Sequence, residues 1–262
     1  MNGEFQSRPL IILHHGLLGG GMGLGRLQWS SFRGLGRSLA AGGYPNFVTA
    51  VHPTAGIAER AIQLKKWILT NTPASPQNKM ILVTHSMGGL DARHMITHLG
   101  MADFVQTLVT VSCPHRGSAY ADWVFEHLGK RLRGIQLVMQ MGLNLAAIPD
   151  LTTEACAKFN KKTPDVPGIK YFSISAARPR IEMPAFAMIS HAIVEKSQGP
   201  NDGLVAVQSA EWGKHLATWR ADHWQTVGRQ ITWRKRGKMI GIDGEYLSVL
   251  KMISATTQNQ KN

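Results

Sequence analysis

From residue 9 onward, short runs rich in Val, Ile, Leu and Thr alternate with longer stretches whose apolar positions recur at helical spacing. That alternation predicts a mostly parallel sheet covered by helices, the α/β class. The predicted strands are Pro9 to His14, Asn46 to Val51, Lys79 to Thr84, Thr107 to Ser112, Gly168 to Ser175 and His215 to Arg220. Several are apolar throughout, as strands covered on both faces should be. The predicted helices are Leu24 to Ala40, Ala55 to Thr70, Met87 to Leu99, Thr152 to Asn160 and Gly244 to Ser254, with Thr152 and Asp243 as helix starts.

The stretch from Ser118 to Asp150 breaks the alternation, being helical in pattern and free of strands. It reads as an insertion. Between Leu132 and Leu145, Arg133, Gln136, Gln140 and Asn144 make one narrow polar stripe on an otherwise apolar helix. Such a helix is either buried in the core or a movable cap over an apolar pocket that meets lipid when open.

Composition narrows the class. The chain has 262 residues, 44% of them apolar and 17% charged, which excludes a disordered or low-complexity chain and suits a single domain spanning 1–262. Two cysteines, Cys113 and Cys156, cannot make a dense disulfide framework, and no Cys-x-x-Cys unit offers a zinc site. The first residues carry Glu4 where an export signal would carry bases, and no apolar run reaches membrane-spanning length. A cytoplasmic location follows as the expectation, the alternative being a secreted protein whose presequence is absent from this chain.

The most informative window is Lys79 to Leu90: an apolar strand, the turn Thr84-His85-Ser86-Met87-Gly88, then a helix. A nucleophile held on a sharp strand-to-helix turn needs small neighbours two positions away. Gly88 supplies one, while Thr84 stands where a first glycine is usual. A serine nucleophile requires a base, and the base a carboxylate, in the order Ser, acid, His. Asp202, in the turn Asn201-Asp202-Gly203 before an apolar run, is the preferred acid, with Asp150 and Asp165 as alternatives. His215 and His223 alone follow Asp202; His215 lies inside a predicted strand and His223 on the loop after it, which favours His223. Amides of Met87, after the nucleophile, and of Leu17, in the loop His14-His15-Gly16-Leu17-Leu18-Gly19, are the candidate oxyanion donors. That loop lacks the glycine and lysine spacing of a phosphate cradle.

Five blocks in order resemble the bacterial true lipases of the α/β-hydrolase superfamily: His15 to Gly19, His85 to Arg93, Cys113 to Ser118, Leu151 to Glu154 with Phe159-Asn160, and Asn201 to Val205. The resemblance implies the α/β-hydrolase fold, a helical lid at about 118–150, and a carboxylic ester hydrolase acting on acyl chains without a cofactor. Calcium-bearing members of that family place Asp two residues after the catalytic His. This chain has Gln225 there, whose neutral amide lacks the charge a hard cation prefers.

The other signals are weaker. His94 and His98 lie one helical turn apart without a further ligand, so structural roles are expected. His115 and Arg116 read as loop braces, and one or two of the seven Trp as pocket lining. A formal charge of +13 and the run Trp233 to Lys238 are compatible with a solvated basic face. With no nucleic-acid-reading module beside it, that charge suits an anionic lipid interface better than DNA or RNA, and Lys130, Arg131 and Arg133 would add to it. The competing reading is a basic lipid- or nucleic-acid-binding protein on a hydrolase scaffold. Among hydrolases, phospholipase, thioesterase and polyester depolymerase share the same carbonyl chemistry.

Overall fold

The structure is a computed structural model that describes residues 8–17, 32, 34–129, 147–228 and 242–258, with side chains described at all of these but 128–129 and 254–258. Six parallel strands, β1 (Leu10–His14), β2 (Asn46–Val48), β3 (Met80–His85), β4 (Val105–Val111), β5 (Lys170–Ala176) and β6 (Lys214–Trp219), form one sheet in the order β2-β1-β3-β4-β5-β6. All six fall within or beside the runs predicted from the sequence. The chain leaves β1 toward one edge and returns to β3 on the other side of β1. In open parallel sheets a crevice opens at such a reversal, outside the carboxyl ends of the strands.

Alternate residues of the central strands feed two cores. Ile11, Leu13, Ile81, Val83, Val109 and Val111 point to one face. There they meet Leu35 and Leu39 of α1 (Leu35–Ala41), and Tyr246 and Leu250 of α9 (Ile242–Gln258). Leu10, Ile12, Met80, Leu82 and Leu108 point to the other, against Leu64 and Ile68 of α2 (Ile57–Asn71) and Ala92 and Met95 of α3 (Gly88–His98). This period of two, with both faces apolar, is what made the strands legible.

The remaining helices are α4 (Ala119–Gly129), α5 (Ala147–Asp150), α6 (Thr153–Lys162), α7 (Met188–Gln198) and α8 (Val207–Ala210). Thr152 caps α6, its hydroxyl accepting from the Ala155 amide. Helix α1 starts at Leu35, because Phe32 at φ 63° and Gly34 at φ 96° cannot continue a right-handed helix; the part of the predicted helix at 24–31 and 33 lies outside the described residues. The apolar pattern at 132–145, the basic residues 130–133 and the run 233–238 lie outside the described residues. Helix α7 was not predicted. It buries Ser190, His191 and Val194 while exposing Met188 and Ile189, so its apolar positions do not mark its buried face.

Candidate active site

Ser86 follows β3 directly and has φ 55°, the left-handed region that side chains rarely enter. Two backbone bonds hold it there: its amide donates to Val111 O at 2.9 Å and its carbonyl accepts from the Gly89 amide at 3.0 Å. The turn is crowded enough to demand glycine. A Cβ on Gly16 would lie 2.6 Å from Ser86 Cβ, and one on Gly88 would lie 2.9 Å from the His15 carbonyl. Thr84 is accommodated because its side chain joins the sheet, Oγ1 donating to Val109 O at 3.3 Å.

Met87 precedes α3 and is buried. Its amide belongs to the first turn, where a helix has no intrahelical acceptor to offer and the dipole favours negative charge. Leu17, beyond the carboxyl end of β1, lines the same cavity as Ser86.

His223 stands on the loop after β6. Its Nδ1 lies 2.8 Å from Asp202 Oδ2, and its backbone amide donates to the Asp202 carbonyl at 2.9 Å. The second carboxylate oxygen of Asp202 accepts from the amides of Leu204 at 3.0 Å and Val205 at 2.8 Å. Asp202 is fully buried, and these three donors satisfy a charge that burial would otherwise penalise. Asp202 does not lie on a strand of the sheet, and the apolar run after it forms none. It sits between α7 and α8 in a turn closed by an Asn201–Ala206 bridge.

The alternatives are engaged elsewhere. Asp150 accepts from the Ile57 amide at 2.8 Å, at the start of α2, and Asp165 from the Trp212 indole at 2.9 Å. His215 pairs with Ser175 Oγ at 3.1 Å across β5 and β6. His115 is buried beside Thr110 and Arg93, and Arg116 donates to the Gln208 and Glu211 carbonyls, so both tie loops together. His98 bonds Thr163, and the described residues contain no His, Cys, Asp and Glu group that could hold a metal ion. Burial pushes the Cys156 thiol up to about 12 and the Cys113 thiol well above its ordinary value, so neither supplies a thiolate nucleophile at neutral pH.

Several supporting residues carried no recognisable sequence signal. His85 Nε2 donates to the His223 carbonyl at 3.1 Å, and the two rings are 4.5 Å apart. The buried Arg60 guanidinium donates to His15 O at 2.7 Å, His52 O at 2.6 Å and Asp91 Oδ2 at 2.8 Å. Asp91 also pairs with His14 Nε2 at 3.0 Å. Helix α3, which starts beside Ser86, is thereby tied to the loop that carries Leu17. Burial lowers the His14 pKa, the nearby Asp91 opposing part of that effect.

Ser86, His85, His223 and Leu17 open on one cavity of about 280 Å³. Its other walls are mainly apolar: Val124, Ile148, Leu151 and Val205, with Trp224 beside His223. Ala121 and Val124 come from α4 and Ile148 from α5, so the segment predicted as an insertion forms part of the wall.

Beyond the carboxyl edge of a parallel sheet covered by helices, a strained serine and a histidine bonded to a buried acid face one cavity, and the fold is that of the α/β-hydrolases. The likenesses to known proteins agree. The family described as PGAP1-like alpha/beta domain matches residues 52–163. The chain is 32% identical over 213 residues to Triacylglycerol lipase 2 of Saccharomyces cerevisiae, covering 78% of this chain and 62% of that protein. It is 28% identical over 248 residues to the Triacylglycerol lipase of Vibrio cholerae, covering 81% and 77%. The chain thus spans about three fifths of the yeast relative's length. Among solved structures, Staphylococcus hyicus lipase superposes with a TM-score of 0.79 at 16% identity, over 100% of both chains. A metagenomic carboxyl esterase superposes at 0.74 and 20% identity, over 87% of this chain and 69% of that one. The sequence relatives are named as triacylglycerol lipases, and the solved structures share the α/β-hydrolase fold of this chain.

Proposed function

We propose that this protein hydrolyses carboxylic esters of apolar acyl chains through Ser86, His223 and Asp202. The observation that carries the reading is the His223 Nδ1 to Asp202 Oδ2 contact of 2.8 Å beside the cavity that Ser86 lines. The carboxylate fixes the tautomer that leaves Nε2 free as a base and stabilises the imidazolium. Nε2 takes the Ser86 hydroxyl proton as Oγ attacks the acyl carbonyl. The Met87 and Leu17 amides hold the developing oxyanion, and the protonated His223 returns the proton to the leaving alcohol. Water, activated by the same ring, then releases the fatty acid from the Ser86 acyl ester. None of these steps draws on a cofactor.

The apolar cavity walls suit the hydrocarbon part of the substrate, and α4 with α5 would act as its cap. Ile181, Phe186, Met188 and Ile189 are exposed on one segment, and Phe186 packs edge-on against Trp224 at 4.7 Å. Arg180 and Lys196 border the same depression as Met188 and Ile189. An apolar patch rimmed by bases suits the surface of an anionic lipid aggregate. Flotation with phosphatidylserine-containing vesicles should recover the protein, and Phe186→Ser/Ile189→Ser should not float. Equal recovery of both proteins would remove this surface from the proposal.

The hydrolase reading is tested with a fluorophosphonate probe and p-nitrophenyl esters of short and long acyl chains. Labelling and turnover are expected in the native protein, with a loss of about 10³-fold or more in Ser86→Ala. Absence of labelling with detergent present would favour a binding protein on this scaffold.

A further inference from the structure

The loops carrying Asp202 and His223 are irregular backbone, yet both converge on one buried arginine, the first on its backbone amide and the second on its guanidinium. Arg178 lies two residues past the end of β5 and is 8% exposed. Its backbone amide donates to Asn201 O at 3.1 Å, next to Asp202, while its carbonyl accepts from His191 Nε2 at 2.9 Å. Its Nη1 donates to Gln225 Oε1 at 2.8 Å and lies 3.8 Å from Asp222 Oδ2. Its Nε donates to Glu182 Oε2 at 3.2 Å. Asp222 and Gln225, which flank His223, are also tied to each other. The Asp222 amide donates to Gln225 Oε1 at 3.0 Å, and Asp222 Oδ1 accepts from the amides of Trp224 at 3.1 Å and Gln225 at 2.9 Å.

This is the loop where calcium-bearing members of the resembled family place an Asp and this chain has Gln225, and the donor set here does not fit that ion. A hard dication takes six to eight oxygen ligands. Here the Gln225 amide oxygen already accepts two hydrogen bonds, Asp222 Oδ1 accepts two more, and the Glu182 carboxylate is shared between Arg178 and Arg220. The guanidinium already supplies the positive charge at that point and would repel a metal. A buried guanidinium is costly unless its donors are met, and its planar fork fixes its partners more rigidly than an ammonium would.

We propose that Arg178 is a positioning residue: its guanidinium holds the loop of His223, as a metal ion would otherwise do, against the backbone that its own amide joins to the Asp202 loop, keeping His223 in register with Asp202 and Ser86 without calcium. The inference rests on the hydrolase reading of the same site. The two fail differently: if that reading is wrong the native protein neither labels nor turns over, and if this one is wrong the native protein is active but indifferent to Arg178.

The test is steady-state hydrolysis of a p-nitrophenyl ester by the native protein, Arg178→Ala, Arg178→Lys and Gln225→Ala, each with EDTA, with calcium, and with millimolar methylguanidinium. For the native protein, kcat and Tm should be unchanged by EDTA or calcium. Arg178→Ala should lose about 10²-fold in kcat, the scale of a misplacement of about 1 Å, with KM within about twofold. Methylguanidinium should restore at least about tenfold of that loss and calcium none, a readout that a general packing role would not move. Arg178→Lys should stay well below native activity, because a lone ammonium lacks the planar fork whose separate nitrogens, Nε and Nη1, reach Glu182 and Gln225. Gln225→Ala keeps the cation and removes one acceptor, so it reports on the tether even where Arg178→Ala folds poorly; it should lose about tenfold in kcat. Calcium-dependent activity or melting of the native protein would overturn the proposal. So would native kcat in Gln225→Ala and Arg178→Lys, or loss of activity in Arg178→Ala that only tracks loss of folded protein.

Discussion

Gly16→Ala is a one-methyl change whose effect follows from measured distances. The new Cβ would stand 2.6 Å from Ser86 Cβ, 2.9 Å from the His85 carbonyl and 3.1 Å from Ser86 Oγ. Carbon atoms pack best at about 3.5–4.0 Å, so about 1 Å of movement is required. Ser86 cannot supply it, since its amide and carbonyl are held by Val111 and Gly89. The moving part must then be the segment from His15 to Leu17, against the resistance of Arg60 on the His15 carbonyl. Overpacking of this kind costs about 1–3 kcal/mol of stability. A displacement of about 1 Å in the amide proposed to bind the oxyanion costs about 10²-fold in rate, or about 2.7 kcal/mol of barrier. The loss should fall mainly on kcat for p-nitrophenyl esters, because apart from Leu17 the apolar walls, Val124, Ile148, Leu151 and Val205, are untouched. Urea titration alongside separates the stability cost from the rate cost. A Gly16→Ala protein with native kcat would refute the assignment of this loop to the oxyanion site.

Stability should fall with acidification from about pH 6.5 downward. Burial lowers the pKa of both His14 and His115, so in that window the unfolded chain binds protons that the folded chain refuses. The slope is then positive with pH, at most about 1.4 kcal/mol per pH unit for each histidine, and His115→Gln should flatten it in Tm-versus-pH measurements. An unchanged slope would mean that His115 is not the group responsible. Asp150→Ala removes the acceptor at the Ile57 amide and one negative charge near the start of α2. It should cost about 0.5–2 kcal/mol in urea unfolding, by the usual worth of such a cap. Covalent labelling of Ser86 should persist, and its loss would reopen Asp150 as a candidate acid.

Much was legible in the chain itself. The six strands stood out because central strands of a doubly covered sheet are apolar on both faces, and the turn of Ser86, the proposed nucleophile, stood out because a strained serine needs small residues at set spacing. The proposed acid and base, Asp202 and His223, could be narrowed by order along the chain, since this fold class delivers its acid and base after the nucleophile. What the sequence could not carry is every relation between residues far apart in it. The contact of Asp202 with His223, the span from Arg60 to the His15 carbonyl, and the convergence of Arg178 on Gln225 arise only when separate strand ends are brought to one edge of the sheet. Helix α7 was missed for a related reason: its buried face holds Ser190 and His191 and its exposed face Met188 and Ile189, so local hydrophobicity misreported it. Local patterns are set by backbone periodicity and turn sterics, which a sequence records directly. Hydrogen-bond partners are set by packing, and only the tertiary structure decides them.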